Sequence, residues 1–317
     1  MQSLYRRQRS SAQQASPCAN AQECASISAK DPKGKGSFTS TVLDSKLLTG
    51  GSPSDGDWTI FEWDDPVHGP SAIGERALIR TEGTMGTHEA GFWRAGKGIR
   101  GCSLDGSCRM PYSAPLGDET IVVVEGTATI TVAATGRQHR IGPGSIVCHP
   151  KGVDLVWEIN GPSFKRFTAL WDCDNPATPL TDIIVGHIHD APPPDSWEPY
   201  SWDEPADGHF DTGELYYVRS TGTTGTLMTG IWHSGPGIQP CAPDGTVGFP
   251  YTTPLGDETE LILEGRIRVH DYDTDTDYEF GPGDVVGLSR GHRVHWSTVT
   301  PYVTKLWIIT NDEVPSP

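Results

Sequence analysis

Two carboxylates separated by one residue, Glu258 and Glu260, give this chain its clearest chemical signal. Because residues two apart on a strand point to the same face, both would enter one space if that face is interior. A pair held there away from water either raises the pKa of one member, as a general acid or base needs, or binds a bridging cation. Glu258 is therefore a candidate general base or metal ligand, with Glu260 as its proton partner. Alternatively, Glu260 is a partly solvated carboxylate at the open end of the strand.

Two tyrosines occupy matching places ahead of two glutamates. Tyr251 precedes Glu258 by seven residues, and Tyr112 precedes Glu119 by the same interval. A phenol at this position could point into the mouth of a pocket and bind a substrate. The alternative is that each tyrosine packs against the loop that follows it.

The tyrosine–glutamate match is part of an internal duplication. Residues 115–120 recur unchanged as residues 254–259, which is 139 positions later. Over residues 91–126, 18 of the 36 positions are identical to residues 230–265 in the same register. This interval exceeds the ~20–50 residue period of solenoids and propellers. The 317-residue chain therefore contains two tandem copies of one domain.

Both copies are predicted to consist of short β-strands. Their approximate bounds are 51–186 and 187–317, and residues 120–125 and 127–132 are typical β-branched or alternating runs. Many short strands punctuated by turn residues predict a sandwich or a barrel in each copy. Residues 1–50 are polar and show no periodicity, which predicts a disordered N-terminal arm.

Composition argues against several classes of partner. Lys and Arg number 24 against 41 Asp and Glu, a formal net charge of −17, so no nucleic-acid partner is expected. No apolar run reaches the ~18–20 residues of a membrane helix, so no membrane partner is expected. The seven cysteines, an odd number without a CxxC pair, predict reduced thiols and a cytoplasmic location. The basic, acid-poor residues 1–22 leave organelle targeting as the alternative.

Both copies resemble the two sequence motifs of the cupin superfamily. Glu119 and Glu258 each stand seven residues before a glycine, and Gly144 is followed by Pro150-Lys151-Gly152 with the spacing of the second motif. The resemblance is greatest to the ethanolamine-utilisation cupins and the two-domain ureidoglycine aminohydrolases. It implies an all-β fold of two tandem jelly-roll barrels, each with one pocket.

The usual metal ligands of that family are mostly absent. Cupin metal sites typically use a His-x-His pair, the motif glutamate and a third histidine. His295 lies one residue beyond the position of the third histidine; a bulge at residues 289–293 would bring it inward, and otherwise it is a rim or surface histidine. Binding of a divalent metal (Mn, Fe, Ni or Zn) by Glu258 and His295 is therefore kept as one interpretation. The remaining ligand positions hold Ser113, Pro115 and Leu155 in the first copy and Thr252, Pro254 and Val294 in the second.

The resemblance also implies pocket residues in both copies. By family position Trp157 and Trp296 lie near the pockets, where each could stack on a substrate; the alternative for both is a place in the core. Ile121 and Val156 in the first copy make its pocket look apolar. The second copy has charged or titratable residues at those two positions. We therefore expect chemistry in the C-terminal barrel, with Glu258, Glu260 and His295 as catalytic residues.

The implied function is that of a small-molecule enzyme. The resemblance favours a hydrolase or lyase acting on a small polar metabolite such as an amide, a ureido compound or a carboxylate. The alternative is a non-catalytic bicupin, without metal, that binds a small molecule or has a structural role. A homodimer is compatible with either interpretation.

Overall fold

The computed structural model describes residues 48–190, 196–239 and 241–312, and these residues form an all-β fold. The prediction of two tandem jelly-roll barrels is confirmed. The predicted arm lies outside the described residues except for its last three. The strands of the first repeat are β2 (Thr59–Asp65), β3 (Gly69–Arg80), β4 (Thr87–Gly96), β5 (Cys108–Tyr112), β6 (Asp118–Glu125), β7 (Ala128–Val132), β8 (Gln138–Ile141), β9 (Ser145–His149), β10 (Leu155–Ile159) and β11 (Ser163–Asp172).

The second repeat has the same order of strands. One further strand precedes each repeat, namely β1 (Leu48–Gly51) and β12 (Ile184–His187), and a short 3-10 turn spans Asp55–Asp57. The strands of the second repeat are β13 (Glu198–Glu204), β14 (Gly208–Arg219), β15 (Thr226–Ser234), β16 (Gly248–Thr252), β17 (Asp257–Glu264), β18 (Ile267–Asp271), β19 (Thr276–Phe280), β20 (Val285–Leu288), β21 (Arg293–Thr298) and β22 (Val303–Asn311).

Each barrel combines a seven-stranded sheet with a four-stranded sheet. In the N-terminal barrel the orders are β12-β9-β6-β11-β4-β3-β2 and β5-β10-β7-β8. In the C-terminal barrel they are β1-β20-β17-β22-β15-β14-β13 and β16-β21-β18-β19. The motif glutamates therefore lie on β6 and β17, in the interior of the large sheets.

The strands that precede the repeats are exchanged between the barrels. β1 comes before the first repeat but pairs with β20 of the second, and β12 comes before the second repeat but pairs with β9 of the first. Each repeat thus covers an edge of the other repeat's large sheet, an edge that would otherwise carry unpaired backbone groups.

A glycine closes the hairpin after each motif strand. Gly126 and Gly265 have φ values of +79° and +78°, a left-handed conformation that favours glycine. A Cβ atom at Gly265 would lie 2.0 Å from the carbonyl oxygen of Tyr302, so the neighbouring strand approaches too closely for a side chain. The same arrangement recurs at Gly126 against Ser163. These contacts explain the Glu-Gly pair in both copies.

The large sheets pack face to face, so the side chains of β17 point alternately to the layer between the barrels and to the interior of their own barrel. Leu261 points to the apolar layer between the barrels, together with Val122 at the equivalent position on β6. Ile262 instead belongs to the interior core of the C-terminal barrel. Because the side chains alternate, Glu258 and Glu260 point with Ile262 into the barrel.

Two buried ion pairs, related by the duplication, join the barrels. Arg80 reaches Asp257 at 3.4 Å, and Arg219 reaches Asp118 at 2.8 Å. Arg80 Nη1 also donates to the backbone oxygen of Glu258 at 2.7 Å. The aspartate of each Asp-Glu motif therefore joins the two barrels, while the neighbouring glutamate faces a pocket.

Candidate functional site

The C-terminal barrel contains a pocket that opens to solvent. Its walls are mainly aromatic and aliphatic, and its polar groups come from the floor of the large sheet. Such a combination of an apolar wall and a few convergent polar groups is typical of small-molecule sites. The lining residues are Tyr200, Leu215, Tyr217, Met228, Trp232, Phe249, Tyr251, Leu255, Glu258, Trp296, Lys305, Trp307 and Ile309.

Glu258 and Tyr251 form a hydrogen-bonded pair at the pocket wall. The Tyr251 hydroxyl donates to Glu258 Oε2 at 2.7 Å, and Tyr200 donates in turn to the Tyr251 oxygen at 3.1 Å. Burial raises the pKa of Tyr251 well above its usual range, and the Glu258 charge adds to that effect. The phenol therefore stays protonated and orients the Glu258 carboxylate by donating to it.

Glu260 lies deeper in the same barrel and is fully buried. Lys305 Nζ donates to its Oε1, while Oε2 has no partner among the described residues. Burial raises the pKa of Glu260 well above its usual range; Lys305 opposes this shift and the neighbouring Glu258 adds to it. Glu260 is thus a buried carboxyl group with a raised pKa, bound to an ammonium and next to Glu258, which lines the pocket.

Lys305 is held in place by two aromatic rings. Its Nζ lies 4.4 Å from the ring centre of Trp296 and 5.1 Å from that of Trp232. Cation–π contacts of this kind fix a buried ammonium and offset part of the cost of removing it from water. The structure therefore brings Glu258, Glu260, Tyr251 and Trp296 together, around a lysine that the sequence analysis did not single out.

His295 does not join this group. The register of β21 against β16 and β18 is continuous through His295, so its side chain keeps the alternation of the strand and does not turn inward. Val294 and Trp296, its neighbours, are buried in the barrel core, and His295 therefore lies on the outer face of β21 opposite His270. The expectation that His295 serves as a metal ligand or acid beside Glu258 is corrected accordingly, and the rim or surface alternative describes its place.

The donor set of the C-terminal pocket does not fit a divalent metal. Neither histidine nor cysteine is among the residues that line it, and the buried Glu260 carboxyl is already bound to an ammonium group. Metals of the Mn to Zn series that bind in cupins call for several nitrogen or oxygen ligands around one point. Here the positive charge beside the carboxylates comes from Lys305.

The N-terminal barrel has a pocket of its own, and charged residues are part of its lining. Tyr112 donates to Glu119 Oε1 at 2.5 Å, as Tyr251 does to Glu258. Arg166, at the position equivalent to Lys305, lines the cavity, and His149 Nδ1 lies 4.0 Å from Glu119 Oε2. The expectation from Ile121 that this pocket lacks polar groups was wrong, because strands β3, β4 and β11 supply them.

Trp157 is a core residue and does not line the wall of the N-terminal pocket. It is fully buried in the hydrophobic core of the N-terminal barrel, and the guanidinium carbon of Arg166 lies 4.6 Å from its ring centre. The sequence analysis missed both Arg166 and Lys305 because no motif surrounds them. The duplication does indicate these two residues, because Arg166 and Lys305 occupy the same position when the copies are aligned and both are cationic.

Comparisons with known proteins support the fold. Residues 106–167 match the family model of the EutQ-like cupin domain. No curated protein matches the chain. A DUF861-family protein of unknown function from Pseudomonas syringae is similar over 84% of this chain and 100% of its own, with 16% identity and a TM-score of 0.56. The putative glyoxylate induced protein from Pseudomonas aeruginosa is similar over 90% and 96%, with 14% identity and a TM-score of 0.58.

These structural similarities concern the arrangement of the two barrels, because the identities are low. Among the described residues, the structure contains no helix long and apolar enough to cross a membrane.

Proposed function

We propose that this protein, a two-barrel member of the cupin superfamily, is an enzyme that acts on a small polar metabolite in its C-terminal barrel. Glu258 is the general base, and Glu260, with its bound Lys305, is the proton partner. The reaction class is hydrolysis or elimination on an amide, ureido compound or carboxylate, and it proceeds by acid–base chemistry of the side chains.

One observation carries this proposal: Glu258, which lines the cavity, adjoins the buried carboxyl of Glu260, whose pKa burial raises. A general base and a general acid must differ in proton affinity at the same pH, and two carboxyl groups in unequal surroundings achieve this. Tyr251 donates a hydrogen bond to Glu258. The deeper burial of Glu260 favours its neutral form.

The lining of the pocket supports a substrate with a polar head and a compact body. Lys305 offers an ammonium that can bind a carbonyl or carboxylate oxygen, and Trp296 and Trp307 offer flat apolar walls. A substrate held against Lys305 would place its reacting C–H, N–H or attacking water near Glu258. Glu258 accepts that proton and returns it to the leaving group, and the buried Glu260 behind it exchanges a proton with Glu258 rather than with the substrate.

A non-catalytic binding role is the second candidate. Lys305 already donates a hydrogen bond to Glu260, and the pocket walls are mainly apolar. An ion pair of this kind also occurs in sites that only bind a ligand. Binding without turnover would favour this candidate.

The test is a panel of small amides, ureido acids and carboxylates offered to the full chain before and after treatment with EDTA. Thermal shift measures binding, since a ligand at 100 times its Kd stabilises by about 2.7 kcal/mol, and chromatography measures turnover. The proposal expects one chemical class to be converted at the same rate in both preparations. Loss of turnover on EDTA treatment, restored by a divalent metal, would contradict the acid–base mechanism.

A further inference from the structure

The geometry points to a second ligand site in the N-terminal barrel, formed by Arg166 and Glu119, for a small carboxylate that carries a hydroxyl or amino group next to its carboxyl. Both residues line the same cavity of the N-terminal barrel. This site lies apart from the C-terminal pocket and does not depend on the proposed function.

Arg166 is the first reason for this assignment. The side chain is buried, with 2% of its surface exposed, and its Nε and Nη1 atoms have no hydrogen-bond partner among the described residues. Buried guanidinium donors without partners are costly, and each of the two planar forks that can bind a carboxylate, Nε with Nη2 and Nη1 with Nη2, contains one of these unpaired donors. Trp93 and Trp157 hold the guanidinium at 5.0 and 4.6 Å from their ring centres, so the fork is fixed in place.

Glu119 and Thr168 supply the complementary groups. Glu119 Oε1 accepts from Tyr112, but its Oε2 has no partner in the described part of the chain. The hydroxyl of Thr168 likewise has none, and both residues line the same cavity as Arg166. The residues that carry these two donors, the acceptor and the hydroxyl therefore line one cavity.

The chemistry of these groups selects the ligand class. A carboxylate satisfies the Arg166 fork, and a hydroxyl or amino group on the next carbon can donate to Glu119 Oε2. A simple carboxylate such as acetate satisfies only the arginine, and a neutral diol satisfies only the glutamate. The site should therefore prefer hydroxy and amino acids over both.

The duplication shows that this pocket differs from its counterpart. Thr168 is replaced by Trp307 in the C-terminal barrel, and Arg166 by Lys305, an ammonium without a planar fork. Arg76 and Glu89, an ion pair at 3.1 Å that lines the N-terminal cavity, have apolar counterparts in the other repeat. The two barrels are thus built for different ligands.

Calorimetric titration of the full chain with glycolate, lactate, glycine, acetate and ethylene glycol tests the site. We expect glycolate or lactate to bind more tightly than acetate, and ethylene glycol not to bind. Arg166→Lys introduces the residue of the other repeat, keeps the charge and removes the fork, so it should weaken binding about tenfold or more. Arg109→Lys, the same change at an exposed arginine on β5, should leave the affinity unchanged.

Two further variants separate this site from the rest of the protein. Glu119→Gln should reduce the affinity for glycolate to that for acetate, even if Arg166→Lys fails to fold. Lys305→Met, in the other pocket, should leave glycolate binding unchanged. The inference is overturned if none of the five probes binds at millimolar concentration, which would mean that water alone satisfies these groups. It is equally overturned if Arg166→Lys binds glycolate as the wild type does.

Discussion

Replacement of Lys305 by methionine should make the stability of the protein depend on pH in a new way. Lys305 is the ammonium that neutralises Glu260 in the barrel interior, and methionine retains much of its apolar length. Without the ammonium, burial and Glu258 raise the pKa of Glu260 without opposition. The carboxyl can then remain buried at little cost only while it is protonated.

The sign and size of the effect follow from linkage. Unfolded Glu260 titrates near its ordinary value of about 4.3, whereas the folded group titrates higher. The folded state therefore binds more protons in this interval, and its stability falls as pH rises through the folded pKa. The expected slope is up to about 1.4 kcal/mol per pH unit. The total loss should approach the ~3–5 kcal/mol that breaking a buried ion pair costs.

Urea unfolding of the wild type and Lys305→Met between pH 5 and pH 9 measures this slope. The double variant Lys305→Met with Glu260→Gln is the matched control, since it has no carboxyl left to titrate. We expect the single variant to lose stability steadily relative to the double variant as the pH rises. A constant difference between the two across this range would refute the assignment of Glu260 as a buried carboxyl neutralised by Lys305.

Three further predictions concern stability. Burial lowers the pKa of His149 to about 4, so the stability that the neutral side chain contributes is present above pH 6.5 and is lost as pH falls toward 4. The other repeat has leucine at this position, and His149→Leu should remove about 3 kcal/mol of this loss of stability in acid, measured by urea unfolding. Arg219→Met removes the counter-charge of the buried Asp118 between the barrels and should lower the free energy of unfolding by about 3–5 kcal/mol, whereas Arg109→Met at the surface should cost less than about 0.5 kcal/mol. Gly265→Ala forces a side chain onto the Tyr302 carbonyl and should cost about 1–3 kcal/mol, measured by calorimetry.

Much of the fold could be predicted from the repeated sequence, because local patterns determine it. The β-branched runs, the Glu-Gly pair and the 139-residue offset predict two equivalent barrels. The exchange of β1 and β12 between barrels could not be predicted, because it depends on pairing between strands far apart in sequence. Period-two alternation was sufficient to place Glu258 and Glu260 on one face of β17.

The limits of such local patterns explain why the prediction for His295 was wrong and why Lys305 and Arg166 were missed. His295 would have needed a local change of register, and a sequence pattern does not reveal whether a strand bulges. Lys305 and Arg166 come from β22 and β11, which pair directly with the motif strands but lie more than 40 residues further along the chain. Their role depends on the distance between strands in the barrel, so it became visible only in the structure.

The proposed acid–base mechanism rests on Glu258, and turnover by Glu258→Gln tests it most directly. The variant keeps the shape of the side chain and removes its ability to accept a proton, and Glu264→Gln, at an exposed glutamate on the same strand, is the matched control. On whichever panel substrate the EDTA-treated wild type converts, we expect kcat of Glu258→Gln to fall by about 10²–10⁴-fold, with folding and the wild-type rate of the control preserved. Turnover by folded Glu258→Gln at the rate of Glu264→Gln would contradict the account.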